Sequence, residues 1–213
     1  SSVVYNSHQS YWRGRLSRKW IDTGEYNFYM TFCLKPSCEF QEIYSNLTQY
    51  LSVVLCKTLE KYGVDSKIKW PNDVLVDGKK IAGILSETSM QGSSFKGIAL
   101  GIGVNLNTSQ TLLDSIDKPA TSLAVILNKE IDREKFLKTL TDEFFLNYNR
   151  FLNTGFAMIR DFYLNHASFL NTDISVNVLG KIESGCAVDI TQDGALVLEK
   201  DNIKNTLLIG DIL

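Results

Sequence analysis

The chain has 213 residues, of which 44% are hydrophobic and 22% are charged, and its formal net charge is −2 at pH 7. This length suits one domain with a small appendage and allows a substantial buried core. The slight negative charge argues against a general nucleic-acid binder, because such proteins present a basic face to many phosphates.

The first distinctive segment in chain order is basic. Residues 11–20 read YWRGRLSRKW and contain three arginines and a lysine around Gly14. Arginine forks hold phosphate oxygens in a fixed geometry, and glycine lets the backbone approach a ligand closely. The segment therefore predicts a site for a compact polyanion such as ATP. A charge run alone is more often a solvated loop, but Trp12 and Trp20 weaken that alternative because indoles are costly to leave in water.

A strand and a helix are predicted next. Over residues 27–34 large apolar residues alternate with Tyr, Thr and Cys, which is the period of a strand with one face in a core. Over residues 41–62 the apolar residues recur at helical spacing. Gly63 follows, where a left-handed residue is expected to end the helix.

Four short apolar segments then predict an antiparallel meander. They read KIKW (67–70), DVLV (73–76), KKIAGILSE (79–87) and FKGIALGIGVNLN (95–107). The residues between them, WPND, VDGKK and QGSS, are rich in turn formers. This combination is typical of strands joined by tight connections.

Two turns of the meander carry lysines. Lys69 leaves its strand just before Pro71 and Asn72, and Lys80 lies near the next turn. Lysines at turn mouths could meet one anion, although exposed lysines on two hairpins fit the pattern as well. The run GIGVN at 101–105 looks superficially like a phosphate loop, but no helix signal follows at once, so a dinucleotide-binding fold is not expected.

The second half of the chain changes from helical to β character. A helix is predicted from about Asp132 to 152, with a helical continuation over 156–168. From about Asn171 short alternating runs are broken by glycines and by the Asp193-Gly194 turn, which predicts a small β-barrel of about forty residues. The fold class is therefore α+β, a mixed sheet backed by helices and followed by an all-β cap.

The apolar runs and the cysteines exclude two further classes. No apolar run approaches the roughly 18 to 20 residues that span a bilayer, and no secretory leader is expected. The four cysteines form no CxxC pair and only two histidines accompany them, so a structural zinc site is not expected. A soluble cytoplasmic protein with reduced thiols is the prediction.

The order of four motifs resembles the catalytic domain of biotin protein ligases. The motifs are RGRLSRKW, KWPNDVLVDGKKIAGIL, GIGVNLN and ATSLA, the last at 120–124. The resemblance implies a ligase domain over 1–170, with the class II aminoacyl-tRNA-synthetase-like (biotin–lipoate ligase) fold. It also implies an SH3-like β-barrel over 171–213, for which DGALVLEKD is the best match.

The resemblance implies a two-step reaction. Biotin carboxylate attacks the α-phosphate of ATP to form biotinyl-5′-AMP and pyrophosphate, and a carrier lysine amine then attacks the mixed anhydride. The implied substrates are biotin and ATP with Mg²⁺, whose protein ligands are not identified. The implied partner is the biotin carboxyl carrier domain of a carboxylase. A homodimer is common in the family, and neither a membrane nor nucleic acid is expected as a partner of this chain.

The family resemblance assigns roles to the basic loop and to one lysine. Arg13, Gly14 and Arg15 match the part of the loop that contacts biotin and phosphate, and Trp20 matches the tryptophan that closes it. Lys69 matches the lysine between biotin carboxylate and α-phosphate. Lys69 and Arg15 are thus the expected catalytic residues. In addition, the residue that matches the biotin-contacting glutamine before the loop is Gln9.

The resemblance places further residues along the biotin and nucleotide pocket. These are Lys80, Gly83, Gly101, Gly103 and Asn105, with Asn105 as the adenine-side hydrogen bonder. A strand glycine more often serves packing, so that alternative stays open for the glycines. Asp73 could be a pocket residue or simply the Asx residue of its turn.

The chain departs from the family pattern at two places. Trp12 stands where the basic loop usually opens with glycine. The chain also begins inside the first conserved region, so we expect that a Ser/Thr-Asn segment of the biotin pocket belongs upstream, and an upstream DNA-binding domain stays open.

Two alternative functions remain at the level of sequence. A lipoate or octanoate ligase shares the fold, but its typical Arg-Arg-x-x-Gly-Gly-Gly segment does not occur here. A repressor core that holds biotinyl-AMP without transferring it would have less need of Lys69, Arg15 and the whole KWPND turn.

Overall fold

The first part of the fold is a six-stranded antiparallel sheet. The computed structural model describes residues 2–6, 26–115 and 117–213. The strands are β1 (Ser2–Asn6), β2 (Asn27–Leu34), β3 (Lys67–Lys69), β4 (Asp73–Val76), β5 (Lys79–Gln91) and β6 (Ser94–Asn105). They are ordered β1-β2-β6-β5-β4-β3, and every neighbouring pair is antiparallel. The predicted meander is therefore confirmed.

One face of this sheet forms the core. In β2 the alternation places Phe28, Met30 and Phe32 inward, each at most 1% exposed. Two long helices cover this face, α1 (Leu47–Glu60) and α4 (Arg133–Thr154). Their aromatic side chains interlock with the strand, since the Phe144 ring stacks on the Phe32 ring at 3.9 Å between centroids. The predicted inward face of this strand is confirmed.

The helix boundaries follow local capping chemistry. The segment predicted as one helix over 41–62 divides into a 3₁₀ turn (Glu42–Asn46) and α1, and Gly63 follows the helix end at φ +76° as expected. Helix α4 begins after Asp132, whose Oδ1 accepts from the Lys135 backbone N–H at 3.0 Å.

Shorter helices complete the first part of the fold. Helices α2 (Gln110–Leu113) and α3 (Leu123–Leu127) connect β6 to α4. After α4 come a 3₁₀ turn (Gly155–Met158) and α5 (Arg160–His166), so the predicted continuation is helical but broken into two pieces. The break follows from Gly155, which ends α4 at φ +65°.

The C-terminal part is a second antiparallel sheet. Its strands are β7 (Asp173–Val178), β8 (Lys181–Ile190), β9 (Leu196–Lys200), β10 (Ile203–Leu207) and β11 (Asp211–Ile212). They are ordered β10-β9-β8-β7-β11. The α+β class and the all-β tail are confirmed, while the division at residue 170 stays a prediction. In the part of the chain that the structure describes, no helix is long and apolar enough to cross a membrane.

Candidate active site

The register of the first sheet brings several predicted residues onto one face. Directly opposed residues across β2, β6, β5, β4 and β3 are Tyr29, Gly103, Gly83, Asp73 and Lys69. Opposed residues of antiparallel strands point to the same side, and successive residues of one strand alternate. This row therefore lies on the face turned away from the core residue Phe28 and its helices.

Three glycines form the floor of this face. Gly83 and Gly103 are direct partners across β5 and β6, and Gly101 lies two residues before Gly103 on the same side. All three are buried. Without Cβ atoms, adjacent strands leave room for a ligand to lie against the backbone. The Gly-x-Gly run lies inside a strand, which confirms that it is no helix-opening phosphate loop. We call residues 83, 101 and 103 the glycine floor.

Lys69 lies at one rim of the glycine floor, and its backbone is held on both sides. On one side the Ile68 carbonyl accepts from the backbone N–H and the hydroxyl of Ser168, at 2.9 and 3.1 Å. On the other side the buried indole Nε1–H of Trp70 donates to the Gly194 carbonyl at 3.2 Å. The fold therefore determines where Lys69 leaves the sheet.

The turn after Lys69 is also fixed. Asn72 Nδ2 donates to the Ile84 carbonyl at 2.5 Å, and the Ile84 N–H donates to the Asn72 carbonyl at 3.1 Å. The Trp70–Pro71 peptide bond is cis. Because Asn72 bonds to the middle of β5, the turn is attached to the strand that carries Gly83.

An ion pair lies beside this turn. Lys80 Nζ is 2.6 Å from Asp73 Oδ1, and the two side chains are 33% and 26% exposed. Asp73 is also the direct partner of Lys69 in the neighbouring strand. The carboxylate therefore lies between two lysine-bearing strands, which places Asp73 at the rim of the glycine floor. A turn role alone does not explain this contact.

Asn105 organises the opposite corner of the face. This residue is 4% exposed, and its Nδ2 donates to the Thr121 carbonyl at 3.1 Å. The segment that contains Thr121 runs beside Lys80. The Lys80 backbone N–H donates to the Pro119 carbonyl at 2.9 Å, and the Lys80 carbonyl accepts from the Thr121 N–H at 3.0 Å. Asn105 thus holds the segment 119–122 against the end of β5. Its contact with adenine stays a prediction.

The motif ATSLA did not by itself indicate a role for the segment 119–122. Ser122 caps α3 by accepting from the Val125 N–H at 3.2 Å, and its hydroxyl donates to the Thr108 carbonyl at 2.7 Å. A Thr-Ser pair before an apolar helix is a recognisable cap signal. What that signal could not reveal is that the cap lies beside Lys80 and Asn105.

A buried polar network closes the β2 side of the face. Asn27 Nδ2 donates to the Tyr29 hydroxyl at 3.0 Å, and Asn27 Oδ1 accepts from the Thr108 hydroxyl at 2.5 Å. Arg133 Nη2 donates to the Asn27 carbonyl at 2.7 Å. The network joins β2, the end of β6 and the start of α4. The sequence offered only a weak signal for it, a polar residue at the start of an apolar strand.

Two buried ionisable side chains in the core are neutral at physiological pH. Burial raises the pKa of the Tyr163 hydroxyl well above its usual range, and burial raises the pKa of the Cys56 thiol to about 12. Burial therefore favours the neutral form of both groups near neutral pH.

The predicted basic loop lies outside the described residues. This concerns Gln9, Arg13, Gly14, Arg15 and Trp20, whose roles stay predictions. Within the described ranges, no group of three or more His, Cys, Asp or Glu side chains is arranged to hold a metal ion. A shallow groove lined by Asp173, Ser184 and Glu199 lies on the second sheet and contains none of the predicted residues.

The fold that carries this candidate site can be compared with known proteins. The model of the "Biotin/lipoate A/B protein ligase family" matches residues 2–105. The structure of "Biotin protein ligase from Aquifex aeolicus in complex with biotin and ATP" is similar with a TM-score of 0.81 and 23% identity, covering 99% of this chain and 87% of that one. That likeness supports the fold.

Curated relatives narrow the class. The "Biotin--[acetyl-CoA-carboxylase] ligase" of Paracoccus denitrificans is 32% identical over 207 residues, covering 93% of this chain and 84% of that protein. The chain therefore belongs to the biotin protein ligase family, as its motifs predict. The "Bifunctional ligase/repressor BirA" of Bacillus spizizenii is 30% identical over 213 residues, and the chain spans 65% of its length.

Proposed function

We propose that this chain is an ATP-dependent biotin ligase, which activates biotin as biotinyl-5′-AMP and transfers it to a lysine of a carrier protein. The observation that carries the proposal is geometric. Lys69 lies at the rim of the glycine floor, in a chain that belongs to the biotin protein ligase family. The names of the Paracoccus and Bacillus relatives, which state ligase activity, support it.

In the first step two anions must meet. A carboxylate oxygen of biotin forms a bond to the α-phosphorus of ATP, and the bond from that phosphorus to the bridging oxygen of the pyrophosphate group breaks. A fixed ammonium at the meeting point stabilises the charge that develops on the phosphoryl oxygens. We assign this function to Lys69, because its chain neighbours Ile68 and Trp70 are both anchored and Lys69 lies in the row that leads across Asp73 to the glycine floor.

The remaining predicted residues have supporting functions in this proposal. Arg15 is the second catalytic residue, and Arg13, Gly14, Gln9 and Trp20 complete a loop that closes over biotin and the adenylate. Closure excludes water, which protects an acyl-adenylate that water would otherwise hydrolyse.

Two described residues are assigned to the pocket wall. Lys80, held by Asp73, and Asn105, held by the segment 119–122, flank the end of the glycine floor. In their positions they can contact the nucleotide, Lys80 through its charge and Asn105 through its amide. The observed contacts of both side chains keep the corner rigid, which supports a precise pocket.

In the second step the carrier lysine amine attacks the carbonyl carbon of the mixed anhydride, and AMP leaves. The proposed partner is the biotin carboxyl carrier domain of a carboxylase, and the name of the Paracoccus relative supports this choice. Mg²⁺ accompanies ATP in the proposal, without assigned protein ligands. We place the reaction in the cytoplasm, where Cys33 and Cys38 remain free thiols, and the homodimer stays a prediction.

The test is pyrophosphate exchange into ATP, with biotin, lipoate and octanoate compared in parallel. We expect exchange that requires biotin. Exchange with lipoate or octanoate instead of biotin would change the assigned acid substrate and support a lipoate or octanoate ligase. Biotin binding without exchange would contradict the ligase proposal and support a repressor core that does not transfer biotin.

A further inference from the structure

The tip of one hairpin in the C-terminal sheet packs against the first part of the same chain. We call residues 191–195, which join β8 and β9, the docking turn. The Thr191 hydroxyl accepts from the backbone N–H of Ala195 at 3.1 Å, and Thr191 N–H donates to the Ala195 carbonyl at 2.8 Å. Gly194 has φ +82°, a left-handed conformation that glycine adopts without strain. The turn therefore presents its carbonyl groups in a fixed direction.

The docking turn contacts the first part of the molecule through the carbonyls of Asp193 and Gly194. The Gly194 carbonyl accepts from Gln49 Nε2 at 2.8 Å and from Trp70 Nε1 at 3.2 Å, and both contacts are buried. Asn46 Nδ2 adds a bond to the Asp193 carbonyl at 2.9 Å. These donors lie about 120 to 150 residues away in the chain. The Gly194 carbonyl is therefore shared by helix α1 and the turn after β3.

The space around Gly194 admits no side chain. A Cβ added there would meet Asn46 Nδ2 at 2.5 Å and Gln49 Oε1 at 2.6 Å. Both atoms are the ends of flexible side chains, so they would be pushed aside while the backbone of α1 stays in place. Substitution would therefore disturb the hydrogen bonds from Asn46 and Gln49, two of the three that hold the turn, and loosen the carbonyl that Trp70 shares.

Trp70 directly follows Lys69 in the chain. Because a short strand and its turn move together, the position of the Trp70 ring affects the direction in which the Lys69 side chain leaves the sheet. Small displacements of a reacting group reduce rates strongly, and a shift of about 1 Å can lower the rate by about 10²-fold.

We propose that Gly194 is a positioning residue for the adenylation step. Its carbonyl holds the Trp70 indole and thereby keeps Lys69 at the meeting point of carboxylate and phosphate. The C-terminal sheet then serves the first chemical step without contacting a substrate at this turn. This inference rests on the proposed function of Lys69, and it adds a residue 125 positions away in the sequence.

The test compares two glycine variants of the whole chain. Gly194→Ala displaces Asn46 and Gln49 and so loosens the carbonyl to which Trp70 is bonded, whereas Gly180→Ala is the matched control, because Gly180 also has a positive φ, +91°, but nothing within 4 Å of an added Cβ. Both variants carry similar backbone strain in the same sheet. We expect Gly194→Ala to lower kcat for biotin-dependent pyrophosphate exchange about 10-fold to 100-fold, with little change in KM for biotin, and Gly180→Ala to retain the wild-type kcat.

A double variant separates positioning from general destabilisation. In a Lys69→Ala background, Gly194→Ala should cause little further loss, because the group that it positions is already absent. A full, multiplicative loss in that background would overturn the proposal, as would an equal loss in Gly180→Ala. Trp70→Phe, which deletes the indole donor and keeps an aromatic ring, should reproduce the kcat loss, and a wild-type kcat in that variant would also overturn it.

A measurement without catalysis distinguishes this inference from the proposed function. The indole N–H resonance of Trp70, assigned by its loss in Trp70→Phe, should exchange slowly with solvent in the wild type and in Gly180→Ala, and faster in Gly194→Ala. Absent exchange of pyrophosphate in the wild type would refute the proposed function. Unchanged indole protection in Gly194→Ala would refute the docking contact itself.

Discussion

At the residue scale, the site depends on where side chains are absent as much as on where they are present. Gly83 and Gly103 oppose one another across β5 and β6, and Lys69 and Asp73 continue the same row toward the sheet edge. A bare backbone beside a cation suits an anionic ligand with a narrow body. The proposed functions of Lys69 and of the glycine floor can therefore be tested separately.

The lysine can be tested by removing its charge. Lys69→Ala should lower kcat for biotin-dependent exchange about 10² to 10³-fold, because an electrostatic group at the reacting centre is lost. Lys79→Ala is the matched control, since Lys79 is an exposed lysine of the neighbouring turn. The measurement is the steady-state exchange rate of the wild type and of both variants. A wild-type rate for Lys69→Ala would contradict the assigned role.

The glycine floor can be tested by adding one methyl group. Gly103→Ala should weaken biotin binding about 10-fold or more, because a Cβ on the floor occupies space that the ligand needs, an overpacking effect of about 1 to 3 kcal/mol. Titration calorimetry with biotin measures the effect. Thermal unfolding serves as the control for folding. Unchanged affinity in a folded variant would show that biotin binds elsewhere.

At the scale of elements, the rigid base of the site is the packing of α1 and α4 on the inner face of the sheet. Tyr50 of α1 stacks on Phe151 of α4 at 4.4 Å, and its hydroxyl donates to the Phe144 carbonyl at 2.6 Å. Burial raises the pKa of the Tyr50 hydroxyl above its usual range, so the group stays a donor at physiological pH. This packing fixes the sheet that carries the proposed ligand site on its outer face.

The core aromatic at the centre of this packing should dominate stability. Phe144→Ala should destabilise the protein by about 3 to 5 kcal/mol, because the ring is fully buried and stacks on Phe32. Leu146→Ala, two residues along the same helix and 71% exposed, should change stability by less than about 0.5 kcal/mol. Urea unfolding of both variants measures the difference, and similar midpoints would contradict the packing.

At the scale of the whole molecule, the C-terminal sheet is attached to the first part by more than the docking turn. Arg160 of α5 donates through Nε to the Ile190 carbonyl at 2.9 Å, and its Nη2 lies 2.7 Å from Asp189 Oδ1. The second sheet is thus joined to the first part at the start of α5, at the turn after β3 and at α1.

Removing one of these attachments should loosen the C-terminal sheet. Arg160→Ala should destabilise the chain by about 1.5 to 3 kcal/mol, because a charged donor to a strand carbonyl is lost from a largely buried side chain. Backbone hydrogen exchange in β8 and β9 should increase. Lys204→Ala is the control, because its pairing with Glu199 is exposed and its removal should have a much smaller effect. Equal effects of the two variants would refute the attachment.

The sequence by itself predicted most helices and strands and identified Lys69 as a candidate site residue. Alternation over β2, helical spacing before Gly63 and turn formers between 67 and 107 depend on residues close together in the chain, so local physics reveals them. The helix predicted over 41–62 needed correction only at its first turn, where the chain is 3₁₀. Motif order identified the family, and it assigned Lys69 and the floor glycines.

Only the tertiary structure decided how these pieces meet. That Gly83 and Gly103 are partners follows from strand register, and that Asp73 holds Lys80 follows from the pairing of β4 with β5. The contact of Gly194 with Trp70 spans 124 residues and has no local signature. The physical reason is that register and docking arise from the packing of distant surfaces, whereas periodicity records only which face of each element is apolar.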